Sequence, residues 1–334
     1  MPLKIALDAT PLSVRTGGVR RYTEELACAL ARRHPRDAYF LVSDQEFALH
    51  SELPNLIECW PPRGAWTRRW WSIGLARELR RLEVDVFHGT DFAVPYVPLR
   101  PTVMTIHDCS PWREESREAT SERVQRRTPT LLRFGLATMV ITPSEAVRGE
   151  VMQRFGIPSS KIVAIPLAAA PHFRPAKVES DDAQYFLYVG ALGPRKNVEV
   201  IEEAARELGI ELVIPARLGF VAEDSLAALY AGAVAVLYPS LYEGFGLPVL
   251  EAMQCGAVVI ASNDPAITEV GGGAIVQVDA TDRNAWIVAM RSALEGGAEY
   301  DELRAKAVER AGRFSWDRTA ALTREVYDEA RRIF

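Results

Sequence analysis

Strand-like and helix-like segments alternate along almost the whole chain, and this alternation limits the possible folds more than any other feature. The first half contains six strand-like segments, at Leu3–Asp8, Tyr39–Ser43, Val84–His88, Thr102–Ile106, Met139–Thr142 and Ile162–Pro166. Helical patterns lie between most of them, including Val19–Arg33, Arg69–Leu82 and Ser144–Phe155. Such alternation predicts a parallel sheet that is covered by helices on both faces.

A second alternating set follows Pro166–Ala183, which is rich in Pro, Ala and charge and is interpreted as a linker. Its predicted strands are Phe186–Val189, Glu211–Ile214, Val234–Tyr238, Val258–Ala261 and Ala274–Val278. Its predicted helices are Asn197–Leu208, Asp224–Ala231, Leu247–Cys255, Arg283–Leu294, Tyr300–Arg313 and Trp316–Arg331. The predicted class is therefore α/β, with two doubly wound Rossmann-like domains. We expect an N-terminal domain at 1–170, a linker at 171–184, a C-terminal domain at 185–315, and a last helix at 316–334 that returns to the N-terminal domain.

Charge and cysteine content exclude several classes of protein. Residues 1–170 have 23 Lys and Arg against 19 Asp and Glu, while the rest have 16 against 25, so the halves carry +4 and −9. Neither half is basic enough to indicate nucleic-acid binding. The four cysteines are scattered without metal-ligand spacing, so we expect buried, reduced thiols. No signal peptide and no apolar run of about 20 residues is found, so we expect a cytoplasmic protein.

Candidate ligand-binding residues follow the predicted strands, where the carboxyl edge of a parallel sheet binds ligands. Gly17 and Gly18 precede the first helix and would let an oxyanion approach backbone N–H groups, although a simple turn is the alternative. His88 follows one strand, and His107 and Asp108 follow the next. A satisfied structural histidine is the alternative for either histidine. Metal binding is disfavoured because no third ligand has suitable spacing.

Arg195 and Lys196 follow the first predicted strand of the C-terminal domain, in GALGPRKN. Asn197 is expected to cap the helix that begins there. A basic pair at a helix N-terminus opposes the helix dipole, so it is a poor choice for structure alone. A phosphate would remove that objection, because Arg offers a bidentate fork and Lys a point charge. We predict that the pair binds a diphosphate, with a solvated surface pair as the alternative.

The stretch Tyr238–Ser262 carries two glutamates separated by seven residues. Glu243 lies in a glycine-bearing loop, whose N–H groups can bind a phosphate or sugar oxygen. Glu251 lies on the apolar helix that follows, where a carboxylate needs an internal partner or a ligand. It could accept two hydrogen bonds from a ribose diol, and a structural pair with an Arg is the alternative. With the cation pair, these residues predict a site for a nucleoside diphosphate joined to a hydroxylated group.

In these motifs the chain resembles the family 4 retaining glycosyltransferases (glycosyl transferases group 1), which have the GT-B fold. The resemblance covers nearly the whole chain, from KIALDATPL and TGGVRRYTEEL through TIHD, YVGALGPRKN and YEGFGLPVLEAM to FSWDRTA. It implies two Rossmann-like domains facing across a cleft. It also implies a nucleoside-diphosphate-sugar donor held mostly by the C-terminal domain, an acceptor held mostly by the N-terminal domain, and no metal or other cofactor.

The family motifs imply roles for individual residues. Glu251 resembles the ribose ligand, and Glu243 resembles the glutamate that faces the donor sugar. Arg195 and Lys196 resemble the diphosphate clamp, and His107 resembles the histidine that contacts the transferred sugar. The remaining candidates are the donor-site residues Phe245, Gly246 and Leu247, the loop residues Gly17 and Gly18 that would close on the donor phosphates, and His88 and Asp108 on the acceptor side.

The implied reaction is hexosyl transfer from GDP-mannose or a UDP-hexose to a hydroxyl of a glycan or lipid-linked acceptor, as in cell-envelope polysaccharide synthesis. GDP-mannose comes first, because the PRKN loop resembles that of bacterial mannosyltransferases. A front-side displacement would retain the anomeric configuration, with the leaving diphosphate taking the acceptor proton. The alternatives are a non-hydrolysing NDP-sugar 2-epimerase, which has the same two-domain fold, and a degenerate nucleotide-sugar-binding protein.

Three positions depart from the family pattern. Ala191 stands where many relatives carry an Arg, so binding of the diphosphate would depend more heavily on Arg195 and Lys196. The chain runs from Glu211–Ile214 through three residues into another strand-like segment, Leu218–Val221, which predicts a C-terminal domain shorter by about one helix. Leu167–Ala170 replaces an Asn-Gly turn at the linker.

A cluster of Trp and Arg suggests contact with a membrane surface. It consists of Trp66, Arg68, Arg69, Trp70 and Trp71. Basic residues with Trp are typical of interfacial helices, but core packing of the Trp rings is the alternative.

Overall fold

The computed structural model describes residues 1–15, 17–49, 51–59, 69–113, 121–175, 185–218 and 223–334. The chain separates into two compact units. The N-terminal unit contains Met1–Arg113, Arg117–Leu167 and Trp316–Phe334, and the C-terminal unit contains Ala168–Ser315. Both are parallel sheets with helices on their faces, which confirms the predicted α/β class.

The strands of the N-terminal unit are β1 (Lys4–Asp8), β2 (Ala38–Val42), β3 (Leu56–Glu58), β4 (Val86–Gly89), β5 (Thr102–Thr105), β6 (Met139–Thr142) and β7 (Ile162–Ala164). Their order in the sheet is β3-β2-β1-β4-β5-β6-β7, and every pair is parallel. In this register Leu7 lies opposite both Leu41 and His88. Strands β4, β5 and β6 are buried throughout, as expected when helices cover both faces of a parallel sheet.

The strands of the C-terminal unit are β8 (Tyr185–Leu187), β9 (Glu211–Val213), β10 (Ala235–Tyr238), β11 (Val259–Ser262) and β12 (Val276–Val278). Their order is β12-β11-β10-β8-β9, again with parallel pairs only. The direction of strand order reverses between β8 and β10. In sheets of this kind ligands bind at the carboxyl ends of the strands at such a reversal.

The α-helices are α1 (Gly18–Arg33), α2 (Leu75–Arg81), α3 (Ser121–Arg133), α4 (Glu145–Phe155), α5 (Val198–Leu208), α6 (Pro215–Leu218), α7 (Glu223–Gly232), α8 (Leu247–Gln254), α9 (Pro265–Gly271), α10 (Arg283–Glu295), α11 (Ala298–Ala311) and α12 (Trp316–Ile333). A π-helical turn, Trp70–Gly74, precedes α2. After the edge strand β9 the chain enters α6, so Leu218 of the expected further strand is helical, and the rest of that segment lies outside the described residues.

Helix α12 packs within the N-terminal unit. The hydroxyl of Thr319 donates to the carbonyl of Pro166 at 2.7 Å, and Arg324 pairs with the buried Asp37 at 2.5 Å. The last helix is therefore part of the N-terminal unit, although the chain reaches it only after completing the other unit.

Candidate active site

Lys196 and Glu243 form a buried ion pair in the C-terminal unit, beside the reversal of strand order. Lys196 ends a short turn after β8, Glu243 lies in the loop after β10, and each is 8% exposed. The hydroxyl of Tyr238 accepts from Lys196 Nζ at 3.3 Å and donates to Glu243 Oε1 at 3.1 Å. Arg195 Nη1 lies 3.5 Å from Glu243 Oε2 and 3.0 Å from the carbonyl oxygen of Tyr242. The structure thus brings together three residues that the sequence predicts to act on the donor.

The electrostatics of this cluster favour an ionised Glu243. Burial by itself raises the pKa of the Glu243 carboxyl, but the charges of Lys196 and Arg195 outweigh burial and hold that pKa below its usual range. Burial also raises the pKa of the Tyr238 hydroxyl, so that group stays protonated and donates. The two cations therefore share a single carboxylate, which leaves a net positive charge, and an anionic ligand could replace that carboxylate.

Asp264 holds the loop that carries Glu243, and the sequence reasoning did not identify it. Its Oδ1 accepts from the backbone N–H groups of Ala266 and Ile267, which caps α9, while its Oδ2 accepts from the N–H of Glu243 at 3.3 Å. Burial raises the pKa of this carboxyl. The dipeptide Asp264-Pro265 is a typical helix start, with an Asp cap before a proline, and could have revealed it.

The helix α8 begins at the glycine loop, as predicted. Gly246 precedes it with φ +99°, a left-handed conformation that favours glycine, and a proline follows within the first turn. Phe245 is 5% exposed, and Leu247 is the first helical residue. Glu251 is only 2% exposed, and the Tyr230 hydroxyl donates to its Oε2 at 2.9 Å. In this structure the Glu251 carboxylate therefore has an internal partner, and a ribose would have to share it.

Asn197 does not cap α5 through its side chain, so that prediction is wrong. Its backbone lies in the left-handed region at φ +51°, which asparagine tolerates. Its side-chain Nδ2 instead donates to the carbonyl oxygens of Ala280 at 2.7 Å and Pro239 at 3.4 Å. This amide ties the turn that carries Lys196 to the ends of two other strands.

His107 lies just after β5 and is half-buried. Its Nε2 donates to the carbonyl oxygen of Thr90 at 2.8 Å, and its ring meets the edge of Tyr22 with centroids 4.8 Å apart. Nδ1 has no hydrogen-bond partner in the part of the chain that the structure describes. Asp108 accepts from the N–H of Ser110 at 2.8 Å and stays partly exposed. His107 is therefore oriented by the protein, with one ring nitrogen available.

His88 is a structural residue, which corrects its assignment to the acceptor side. It is fully buried, Nδ1 shares a hydrogen bond of 2.7 Å with the hydroxyl of Tyr327, and Nε2 shares one of 2.8 Å with Thr105 Oγ1. Burial lowers the pKa of its imidazole to about 3. With both nitrogens occupied and no exposed surface, the side chain cannot touch an acceptor.

Gly17 and Gly18 stand at the start of α1 and are exposed. Gly17 has φ +134°, which an L side chain rarely adopts. A Cβ added at either position would meet no described atom within 4 Å, so space around them is open to a ligand.

A second charged group lies at the carboxyl edge of the N-terminal sheet, and the sequence reasoning missed it. Asp8, the last residue of β1, is 2% exposed, and burial raises the pKa of its carboxyl to about 6. Burial also raises the pKa of Asp91, which follows β4. The Arg127 guanidinium stacks over the ring of Trp71 at 4.6 Å. Its Nε and Nη1 atoms are buried and have no hydrogen-bond partner among the described residues. Carboxylates with a guanidinium suit a ligand that carries hydroxyl groups.

The structure also bears on the membrane and metal predictions. Trp70 and Trp71 are buried, at 3% and 8% exposed, which favours core packing for these two rings. Trp66 and Arg68 lie outside the described residues, and Arg69 is exposed, so membrane contact through them stays a prediction. Within the described ranges, no helix is long and apolar enough to span a bilayer, and no group of three potential metal ligands occurs.

Comparisons with known proteins agree on one family. The model for Glycosyltransferase Family 4 matches residues 16–170, and the model for Glycosyl transferases group 1 matches residues 154–296. O-antigen chain mannosyltransferase B of Escherichia coli is 26% identical over 97% of this chain and 99% of its own length. Among solved structures, sucrose-phosphate synthase of Thermosynechococcus elongatus aligns with a TM-score of 0.76 at 20% identity, covering 98% of both chains. HepE of Anabaena, in complex with UDP and glucose, aligns with a TM-score of 0.73 at 16% sequence identity. The alignment covers 97% of this chain and 99% of the HepE chain.

Proposed function

The chain belongs to the family 4, group 1 glycosyltransferases with the GT-B fold, and we propose that it is a retaining hexosyltransferase that uses a nucleoside-diphosphate sugar. The single observation that carries the proposal is the buried Lys196–Glu243 pair beside Arg195, at the switch point of the C-terminal sheet. Two cations and a helix N-terminus in such a place suit a diphosphate better than any neutral ligand.

In the proposed reaction the diphosphate takes over the two cations from Glu243. Breaking the anomeric C–O bond puts negative charge on the leaving diphosphate, which Lys196 and Arg195 stabilise electrostatically. The released Glu243 carboxylate then faces the donor sugar, where it can accept hydrogen bonds from hydroxyls. The acceptor hydroxyl attacks the same face that the diphosphate leaves, and its proton passes to a diphosphate oxygen.

Other residues would bind the rest of the donor. Glu251 takes one ribose hydroxyl while Tyr230 keeps its carboxylate in position. Backbone groups of 245–247 line the phosphate and sugar, and Gly17 and Gly18 close on the phosphates. His107, oriented by the Thr90 carbonyl, presents Nδ1 to the transferred sugar. Asp108 would lie on the acceptor side.

We propose GDP-mannose as the first donor to test and a glycan hydroxyl as the acceptor. The Escherichia coli relative that aligns over nearly its whole length is named as an O-antigen chain mannosyltransferase. UDP-sugars stay candidates, because the HepE structure was determined with UDP and glucose, although it supports only the fold at its level of identity.

A thermal-shift panel of nucleotides and nucleoside-diphosphate sugars in EDTA tests the donor site. We expect stabilisation by GDP or UDP without Mg²⁺, and loss of the shift in Lys196→Ala and in Glu251→Ala. Glu309→Ala, on the exposed face of α11, is the matched control and should respond as the wild type does. If no nucleoside diphosphate raises the wild-type melting temperature, the donor-site assignment is wrong.

Transfer is then tested with GDP-mannose and a mannosyl glycoside, and the anomeric configuration of the product is read by NMR. We expect an α-linked product from the α-linked donor, whereas a β-linkage would contradict retention. Inversion at C2 of UDP-GlcNAc without any acceptor would instead identify an epimerase.

A further inference from the structure

Tyr238 places a buried hydroxyl between Lys196 and Glu243, and the proposed reaction does not use this group. Tyr238 is the last residue of β10 and is 1% exposed. Its hydroxyl accepts from Lys196 Nζ at 3.3 Å and donates to Glu243 Oε1 at 3.1 Å, so its proton is directed at the carboxylate. Lys196 Nζ also pairs with that same oxygen. Glu243 Oε1 therefore receives two donors, one charged and one neutral.

The sheet and a neighbouring ring hold this hydroxyl in place. The Tyr238 backbone lies opposite Ala261 where β10 pairs with β11, and its ring stacks on that of Tyr188 with centroids 6.2 Å apart. Tyr188 is itself fully buried. A donor fixed in this way needs no reorganisation when negative charge develops beside it, which is the property required of a group that binds an oxyanion.

The Glu243 carboxylate can leave this place while the backbone of its loop stays. The N–H of Glu243 donates to Asp264 at 3.3 Å, and the N–H of Leu241 donates to the carbonyl oxygen of Arg195 at 2.8 Å. Because the loop is attached through its main chain, the Glu243 side chain can turn away from the cations by changing its rotamer. A diphosphate oxygen that takes the position of Oε1 then meets the same two donors.

We propose that Tyr238 is a further catalytic residue, whose hydroxyl donates a hydrogen bond to an oxygen of the leaving diphosphate. This inference rests on the proposed function, in which the diphosphate displaces Glu243 from the two cations. The hydroxyl exchanges one anionic acceptor for another and keeps its hydrogen bond from Lys196. Burial and the charge of Glu243 raise the pKa of Tyr238 well above its usual value, so the group donates without losing its proton.

The exchange of acceptors predicts unequal effects on binding and on turnover. Tyr238→Phe loses a charge-assisted bond both before and after the diphosphate binds, so the affinity for GDP or UDP and the KM for the donor should change by less than about threefold. Charge on the diphosphate grows as the anomeric bond breaks, so kcat should fall by about 100-fold, as for the loss of one oxyanion donor. Incorporation of 4-aminophenylalanine in place of Tyr238 restores an N–H donor and should recover part of kcat.

Removal of the Glu243 charge separates direct contact with the diphosphate from support of Glu243. In Glu243→Gln the hydroxyl has a neutral partner before GDP or UDP binds and a charged partner afterwards. Adding Tyr238→Phe should then weaken nucleotide binding by about five- to tenfold, the difference between a charge-assisted and a neutral hydrogen bond. If Tyr238 only supports Glu243, the second substitution leaves the affinity of Glu243→Gln unchanged. Isothermal titration calorimetry in EDTA measures both affinities.

Tyr185→Phe is the matched control, because it removes a hydroxyl at the start of β8, away from the carboxyl end of the sheet. This hydroxyl donates to the carbonyl oxygen of Leu229 at 2.9 Å, so its loss should lower the melting temperature without changing kcat or nucleotide affinity. A wild-type protein that binds neither GDP nor UDP would overturn the proposed function together with this inference. Transfer by the wild type with an equal kcat in Tyr238→Phe would overturn this inference alone, as would an unchanged affinity when Tyr238→Phe is added to Glu243→Gln.

Discussion

Replacing Glu243 by Gln should tighten nucleotide binding while it abolishes most transfer. In the structure the Glu243 carboxylate pairs with Lys196 and lies 3.5 Å from Arg195 Nη1. A diphosphate that uses these cations must first displace that carboxylate. The amide of Gln keeps the shape and one acceptor oxygen but carries no charge, so it competes poorly.

The magnitude follows from the burial of the pair. Two unit charges about 4 Å apart attract by about 4 kcal/mol at an effective dielectric constant near 20. If loss of the Glu243 charge makes about a third of this attraction available to the diphosphate as binding free energy, the affinity for GDP or UDP rises about tenfold. The free protein loses stability, because breaking a buried pair costs about 3 kcal/mol at the lower end of its range. For a unit of this size that lowers the melting temperature by roughly 6–12 °C.

The assay is scanning fluorimetry over a GDP and UDP titration in EDTA, followed by steady-state transfer with GDP-mannose. We expect a lower melting temperature without ligand, a larger ligand-induced rise than in the wild type, and kcat reduced by about 100-fold from misplacement of the donor sugar. Glu309→Gln makes the same chemical change on an exposed helix face and should alter none of the three.

Two results would refute the reasoning. If Glu243→Gln weakens GDP and UDP binding, the carboxylate assists the nucleotide directly and does not compete with it. If the melting temperature of the free variant equals that of the wild type, the buried pair contributes no stability, and the competition has no energetic basis.

Three further predictions concern other buried polar groups. The pKa of the Asp8 carboxyl is about 6 in the folded protein and near 3.8 in the unfolded chain, so its ionisation destabilises the fold increasingly as pH rises through this range. Asp8→Asn should therefore raise the free energy of unfolding, measured in urea, by on the order of 3 kcal/mol at pH 8 and by little at pH 4. Asn197→Asp should lower the free energy of unfolding by about 1–3 kcal/mol in the same assay, because a carboxylate replaces an amide that donates to two carbonyl oxygens. An unchanged stability would instead support a capping role for this side chain. Tyr327→Phe should cost about 1–3 kcal/mol by leaving a His88 nitrogen unpaired, and a neutral result would mean that this hydrogen bond is not formed in solution.

The elements that the sequence predicted well are those with strong local signals. The strand predicted at Met139–Thr142 has those bounds in the structure, and Ser144 caps α4 through its side chain. Helix α8 begins after Gly246 because glycine, the following proline and the apolar positions all favour the same start. Local preference and burial agree in these segments, so one sequence was enough.

The elements that were missed have weak local signals. Strand β3, Leu56–Glu58, is three residues long and has only one buried side chain, so no alternation could develop. Helix α3 contains Pro129 and four Arg, which hides its amphipathic pattern. Helix α9 is seven residues long and carries two glycine residues just after its end. In each case neighbouring elements supply the stability that the segment's own sequence does not.

The two histidines show most clearly what a local pattern cannot decide. His88 lies near the end of β4, and His107 follows the neighbouring strand β5. The sequence marked both as site candidates, yet His88 is buried in the core with both nitrogens bonded, whereas His107 Nδ1 has no hydrogen-bond partner among the described residues. The difference comes from Tyr327 on α12, which lies 239 residues along the chain from His88 and reaches its Nδ1. The chain reaches α12 only after it has passed through the C-terminal unit. No local stretch of sequence around His88 therefore contains Tyr327, the residue that bonds its Nδ1. A histidine at the carboxyl end of a strand is thus a site candidate only if no distant helix covers it, and the last helix of this chain covers one of the two.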